Sequence, residues 1–313
     1  MSKIGIKNSV WTVLVEGIKI YFSNIDKFFI YMLFPVFGQI IGIILAFGLS
    51  LGFADKVFDK VENPIHSMIL IMFLALPGLL IFVKAFWEFM IAYVSLNSMT
   101  LGAITTGKVY DIPSHKQVAT RRTLPFIGLI MLVGILSSFG TSIFFIIPGF
   151  VLWIYFILVY QVFTFEPDGQ LQDNFKRSFV LIRGNWLRTF ILLSVLIFFS
   201  IYIITEGVTV IFDYLNLSEI IYSKFTMFTN LIPLDLVNKV LVHINLPLIT
   251  PYTIARWIWF GILSFVVTGL TLPIRSICWT LWYISLTDRD IMNFDNNTKK
   301  NKSRKKSKEI EEE

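Results

Sequence analysis

The chain has 313 residues, of which 55% are hydrophobic, 16% aromatic and only 15% charged, and its formal net charge is +6. Soluble domains carry about 25% charged residues, so this chain lacks the polar side chains that a water-exposed surface needs. The single cysteine, Cys278, excludes an internal disulfide framework and a thiolate metal cluster. The composition therefore predicts an all-α integral membrane protein.

Six apolar stretches are long enough to cross a bilayer. A transmembrane helix needs about 20 apolar residues, because its backbone amides find no partner in lipid. The first stretch begins too late and is too long for a cleaved signal peptide, so we expect it to stay in the mature protein. The predicted spans run from Phe28 to Gly52, Ser67 to Asn97, Leu124 to Ile146, Gly149 to Phe165, Thr189 to Phe212 and Trp257 to Leu286.

Lys and Arg are distributed unevenly between the connections. The N-terminal segment, the second and fourth connections and the C-terminal segment hold 20 of the 27 basic residues, and the opposite side holds five. Because basic residues near span ends stay in the cytoplasm, this distribution predicts a multi-pass plasma-membrane protein with both termini cytoplasmic.

The sequence divides into a six-span transmembrane domain, residues 1–290, and a charged tail, residues 291–313, which we expect to be disordered. The basic run in the tail predicts contact with anionic lipids at the cytoplasmic face of the bilayer. No aromatic or groove-reading element accompanies these charges, so nucleic-acid binding is not expected.

An amphipathic pattern precedes each predicted pair of spans. Between Gln170 and Gly184 apolar residues recur at helical spacing opposite charged ones, and Gly184 is predicted to end that helix. The stretch from Val10 to Phe22 has the same shape, and a poorer third copy starts near Pro113. The repetition predicts three hairpins, each preceded by a cytoplasmic amphipathic helix. The alternative is that short basic connectors of this kind occur on this side of any multi-span protein.

The only long outer connection runs from Asp213 to Arg256. The polar stripe between Pro233 and Pro247 predicts an amphipathic helix there. A partner or lid role for this loop and simple packing on the membrane surface both remain open.

Four ionisable residues fall inside the predicted spans, and each is costly there unless it is paired, hydrated or able to snorkel. Lys84 and Glu88 lie one helical turn apart and can pair. If the second and sixth spans touch, Glu88 and Arg275 form an intramembrane polar site. The alternative is that these spans end near Glu88 and Arg275, so that Lys84 and Arg275 snorkel. Glu206 is expected at the outer interface.

Sequence motifs typical of catalysis are missing. The three histidines lie in different connections, and the sequence has no HExxH run, no Gly-x-Ser-x-Gly elbow and no Gly-rich phosphate loop. We therefore expect a protein that is not an enzyme and has no catalytic residues, cofactor or metal.

The run IPGFVLWIYFILVYQVFTFE, followed by DNFKRSFVLIRGNWLRTFILL, resembles a bacterial family. This family is the membrane domain of some glycerophosphodiester phosphodiesterases, together with related stand-alone inner-membrane proteins. LGAITTGKVYD and LWYISLTDRD are similar to its other landmarks. The matching residues, for which a structural role suffices, are Pro148, Gly149, Glu166, Ser178, Gly184, Asn185 and Trp186.

The resemblance implies a six-span protein of the bacterial inner membrane. It does not imply phosphodiesterase chemistry, because the tail leaves no room for a catalytic barrel of about 250 residues. Pro148 and Gly149 are expected to make a tight outer turn, and Gly184 to stop the surface helix.

Three functions remain open at this point. The first is a non-enzymatic protein in lipid or small-solute handling or in membrane organisation. The second is a transporter or channel whose pathway is lined by Lys84, Glu88 and Arg275. The third is an anchor or scaffold for a separately encoded protein partner.

Overall fold

The computed structural model describes residues 9–61, 63–109, 111–141, 146–230, 234–243 and 246–288, and every regular element in this part of the chain is helical. The predicted tail, residues 291–313, lies outside the described residues. The helices are α1 Val10–Ser23, α2 Ile25–Lys60, α3 Pro64–Thr106, α4 Ile112–Thr120, α5 Thr123–Thr141, α6 Ile146–Tyr155, α7 Val159–Phe165, α8 Leu171–Ile182, α9 Trp186–Ile197, α10 Ile204–Tyr214, α11 Leu217–Thr229, α12 Asp235–His243 and α13 Pro251–Leu270, with a π-helical stretch, Phe198–Ile203, between α9 and α10. A last helix, α14, covers residues 272–288.

Long apolar helices make this an integral membrane protein. Among the described residues five helical segments are long and apolar enough to cross a bilayer, and the number rises to six if α4 and α5, which meet at 76°, count as one bent span. Large apolar side chains on these helices face outwards, including Leu80 and Leu124, which are 68% and 82% exposed. Such a surface is stable only in lipid or against other protein.

Two predicted spans are interrupted in the structure. The fourth consists of α6 and α7, separated by a turn at residues 156–158. The sixth consists of α13 and α14, separated at Thr271, whose hydroxyl donates to the Val267 carbonyl at 2.7 Å. Pro273 lacks an N–H and cannot complete the helical bond to Gly269, which explains the second break.

The prediction of a tight turn at Pro148 and Gly149 is wrong. Both residues lie inside α6, which begins at Ile146. Proline is tolerated there because the first N–H groups of a helix have no intrahelical partner. The predicted stop at Gly184 is confirmed: α8 ends at Ile182, and Gly184 adopts a positive φ of 86°, which glycine reaches without steric cost.

The chain forms two compact units. Among the described residues, the first contains 9–32, 87–193 and 272–288, and the second contains 33–86 and 194–271, each with the gaps given above. In the first unit, buried apolar side chains of α3, α4, α5 and α7 make one core. Its members are Ile91, Val94, Ala119, Phe126, Leu129, Val159 and Phe163. On α1, Gly17 lies against the buried thiol of Cys278 on α14.

In the second unit, α2 and α3 approach each other at glycines. A Cβ added to Gly42 would lie 2.6 Å from the backbone nitrogen of Phe82 and 2.8 Å from the carbonyl oxygen of Gly78. Small residues of this kind allow close packing of helix backbones in membranes. In the same unit, α11 packs beside α13, where the Tyr252 hydroxyl donates to Glu219 Oε1 at 3.0 Å.

Replacing Gly42 with valine should separate α2 from α3. We expect Gly42→Val to lower the free energy of unfolding by about 1–3 kcal/mol, the usual cost of overpacking a close contact. The measurement is thermal unfolding of the purified chain in mild detergent. Gly48→Val is the matched control, since Gly48 lies on the same helix with no atom within 4 Å of its added Cβ. Equal losses in the two variants would contradict the close approach.

Candidate functional site

A cluster of polar side chains lies inside the first unit, where α3, α7 and α14 meet. We call it the Asn97 cluster, and its members are Asn97, Gln161, Thr164, Ser276 and Thr280. Asn97 and Thr280 are fully buried, and Gln161 and Ser276 are 4% and 7% exposed. Asn97 and Gln161 both lie within helices that are candidate membrane spans. A buried amide in such an apolar helix needs partners from neighbouring helices.

Asn97 is the centre of this cluster. Its Oδ1 accepts hydrogen bonds from Ser276 Oγ at 2.7 Å, Gln161 Nε2 at 3.2 Å and Thr280 Oγ1 at 3.3 Å. Its Nδ2 donates to Thr164 Oγ1 at 3.2 Å, and the Thr164 hydroxyl in turn donates to the Tyr160 carbonyl. One side chain therefore fixes the relative register of three helices.

Gln161 carries an unused acceptor. Its Oε1 is buried and has no hydrogen-bond partner among the described residues. A buried acceptor without a donor costs about 1–3 kcal/mol. Such an atom is a place where a hydrogen-bond donor brought by a water molecule or a solute would be stabilised.

Aromatic rings and a guanidinium lie next to the cluster. Tyr93, one turn before Asn97 on α3, stacks on Tyr160 with ring centroids 5.1 Å apart. Arg275, which precedes Ser276, interacts electrostatically with Tyr93. Arg275 thus directly precedes a member of the polar cluster on α14.

Glu88 has a different partner from the one predicted. Its Oε2 lies 2.6 Å from Lys116 Nζ of α4, in a partly buried ion pair. Lys116 Nζ also lies 5.3 Å from the centroid of the Tyr31 ring. Lys84 belongs to the second unit, where its Nζ lies 5.8 Å from the centroid of the Phe34 ring. The predicted Lys84–Glu88 pair is therefore replaced by a pair between a span and a connector.

The motif residues of the fourth and fifth predicted spans have structural partners. Glu166, at the end of α7, accepts from Arg177 Nε at 3.0 Å and from the Tyr283 hydroxyl at 2.8 Å. Ser178 Oγ donates at 2.8 Å to the carbonyl of Tyr155, which precedes the break between α6 and α7. The hydroxyl thus replaces a backbone donor that the interrupted helix no longer supplies.

Asn185 and Trp186 start the next helix. The backbone N–H of Thr189 donates to the Asn185 carbonyl at 2.9 Å. Trp186 is the first residue of α9 and stacks on Phe190 with centroids 5.6 Å apart. Both observations agree with the structural role expected for these positions.

The Asn97 cluster was not predicted from the sequence, because the predicted intramembrane site consisted of ionisable residues. Asn97 and Gln161 are neutral, and serine and threonine occur in any membrane helix. A signal was present: three carboxamides, Gln39, Asn97 and Gln161, fall within predicted apolar spans, where each must find partners. Which helices supply those partners depends on tertiary contacts. Comparisons with protein-family models, with curated proteins and with solved structures gave no match to the chain.

Removing the Asn97 amide should destabilise the first unit. Asn97→Leu leaves the donors of Gln161, Ser276 and Thr280 without their shared acceptor, so we expect a loss of about 2 kcal/mol or more. Thr100→Val is the matched control, because the buried Thr100 hydroxyl bonds only to the Leu96 carbonyl of its own helix. Thermal unfolding in detergent measures both. The cluster would lose its central role if the two variants were equally stable.

Proposed function

We propose that the chain is a non-enzymatic, multi-pass protein of the plasma membrane that handles a lipid or a small polar solute. The observation that carries this proposal is the Asn97 cluster, in which side chains of three helices meet around one amide. Polar groups are rare inside membrane helices because they are expensive there, and they mark solute paths or binding sites by default.

The unused acceptor of Gln161 favours handling of a solute over a purely structural role. A cluster that served only helix packing would be most stable if all its polar atoms were hydrogen-bonded, or if apolar side chains replaced them. Here both polar atoms of the Asn97 side chain have partners, and Gln161 Oε1 beside it has no donor among the described residues. A solute that carries an N–H or O–H group would supply one.

The basic connectors support the proposed orientation. The side chains of Lys116, Arg122 and Arg177 follow or precede candidate spans on the side that we assign to the cytoplasm. In this arrangement both termini are cytoplasmic, and α1, α4 and α8 each introduce a pair of spans. The basic residues also attract anionic lipids, at about 1 kcal/mol each near the surface.

Transport along a charged pathway is the second candidate. The partly buried Glu88–Lys116 pair favours it, because it joins the connector helix α4 to the candidate span α3. Arg275 directly precedes Ser276 of the Asn97 cluster on α14, so a charged residue is next to the cluster in the chain. Lys84, over the Phe34 ring, is exposed to lipid or solvent.

Liposome reconstitution tests the first proposal. We expect the full chain to accelerate scrambling of labelled phospholipid or flux of small solutes relative to empty liposomes. Gln161→Leu should abolish the activity at a modest loss of stability, because it removes the unsatisfied acceptor together with one of the three donors to Asn97 Oδ1. Thr100→Val is the control and should retain activity. Wild-type liposomes indistinguishable from empty ones across the tested lipids and solutes would contradict the proposal.

Cysteine accessibility tests the transport candidate. Single cysteines at positions 84, 88 and 275 are introduced into a Cys278→Ala background, and labelling by water-soluble thiol reagents is measured from each side. A water-filled pathway predicts labelling at positions 88 and 275. Protection of both positions from both sides would exclude it. The unmodified chain is the control: its one cysteine, Cys278, is fully buried and should stay unlabelled until the chain unfolds.

A further inference from the structure

A second polar cavity, separate from the Asn97 cluster, lies in the first unit between the end of α7 and the first turns of α8. Its volume is about 720 Å³. This exceeds the space that one water molecule or one inorganic ion needs and matches the usual size of small-molecule sites. The polar lining consists of Glu166, Asp168, Asp173, Asn174, Lys176 and Arg177.

Several of these charges already have partners. Glu166 accepts from Arg177 and Tyr283, as described above. Asp173 Oδ2 accepts from the backbone N–H of Gln170 at 3.0 Å and completes the N-terminal cap of α8. The groups left to meet a ligand are Asp168 and Lys176, both exposed at the rim, and the deeper Asn174.

Asn174 is the independent sign of a ligand. It is only 2% exposed, it lines the cavity, and its Oδ1 has no hydrogen-bond partner among the described residues. A buried carbonyl oxygen next to carboxylates is matched by a donor that carries positive charge. A primary ammonium group has this property.

The rest of the lining specifies the other end of the ligand. Lys176 and Arg177 bring positive charge to the same cavity, which suits a phosphate. Val162, Phe165 and Val180 complete the wall with apolar surface. A simple anion would face three carboxylates, and a metal ion would find two of them engaged. A zwitterion with an apolar continuation satisfies every part of the lining.

We infer that the α7–α8 cavity binds a phosphate ester that bears a primary ammonium group. The ammonium donates to Asn174 and lies near Asp168, and the phosphate lies near Lys176, because Arg177 is engaged with Glu166. Two sources share this chemistry: the headgroup of an aminophospholipid, and a free aminoalkyl phosphate. The inference deepens the proposed function, since it names a ligand class, and it rests on the chain having a role in lipid or solute handling.

Ligand-induced thermal stabilisation of the purified full chain in mild detergent tests the inference. The probes are short-chain phosphatidylethanolamine, short-chain phosphatidylcholine, short-chain phosphatidylglycerol and O-phosphoethanolamine. Phosphatidylcholine is the matched control lipid, because its quaternary ammonium has the same charge but no N–H to donate. We expect phosphatidylethanolamine to raise the unfolding temperature and phosphatidylcholine to have little effect. A shift with O-phosphoethanolamine as well identifies a free solute as a ligand, and its absence identifies the lipid.

Variants locate the effect in the cavity. Asn174→Leu should weaken the apparent affinity for phosphatidylethanolamine about tenfold or more. Lys176→Gln should weaken it too, and this exposed position keeps the test valid if the buried variant fails to fold. Arg183→Gln is the matched control, because Arg183 follows α8 and does not line the cavity. Asn174→Asp keeps an acceptor and should retain binding.

The inference is overturned if phosphatidylethanolamine and phosphatidylcholine stabilise the protein equally, if phosphatidylglycerol alone does so, or if Lys176→Gln binds like Arg183→Gln. This assay involves no transport, so its failure beside active liposomes removes the cavity ligand and leaves the proposed function. Binding in detergent without activity in liposomes would keep the cavity ligand and remove the proposed function.

Discussion

Lipid offers no hydrogen bonds, and this constraint determines the structure more than any single contact. Each polar group of a span must be satisfied by the chain itself. Long helices such as α2 and α3, with 36 and 43 residues, satisfy most backbone groups within themselves. Where a helix is interrupted, side chains supply what is missing. Ser178 does this for the Tyr155 carbonyl, and Thr271 bonds the Val267 carbonyl at the end of α13.

The same constraint gives the Asn97 cluster its importance. A carboxamide in a membrane helix has two donors and an acceptor to satisfy, and its own helix offers few partners. Asn97 finds them on α7 and α14, so these helices must pack against α3 in one register. A slip of one turn would leave several polar groups unpaired at once. The cluster thus specifies the packing of the first unit, and it leaves one acceptor, on Gln161, for something other than protein.

The sequence predicted what depends on local pattern. The apolar runs correspond to helices, and α1, α8 and α12 occupy the stretches expected from their amphipathic patterns. Gly184 ends α8 because only a residue without a Cβ reaches its backbone conformation easily. The features that were predicted wrongly depend on tertiary structure. A proline followed by a glycine, as at Pro148 and Gly149, is compatible with a β-turn and with the first turn of an α-helix. Glu88 had a sequence neighbour in Lys84, yet it pairs with Lys116, 28 residues further on.

The basic connectors act in the fold as well as in topology. Lys116 pairs with Glu88, and Arg177 pairs with Glu166 at the end of α7. Arg122 Nη1 donates to the Phe163 carbonyl at 3.0 Å, where the last carbonyls of α7 lack helical donors, and its guanidinium lies over the Phe163 ring. These three cations are already engaged, so fewer charges remain to attract lipid than the number of basic residues indicates. In the function proposed here, headgroup selection then depends on particular contacts, such as the mixed-charge lining of the α7–α8 cavity.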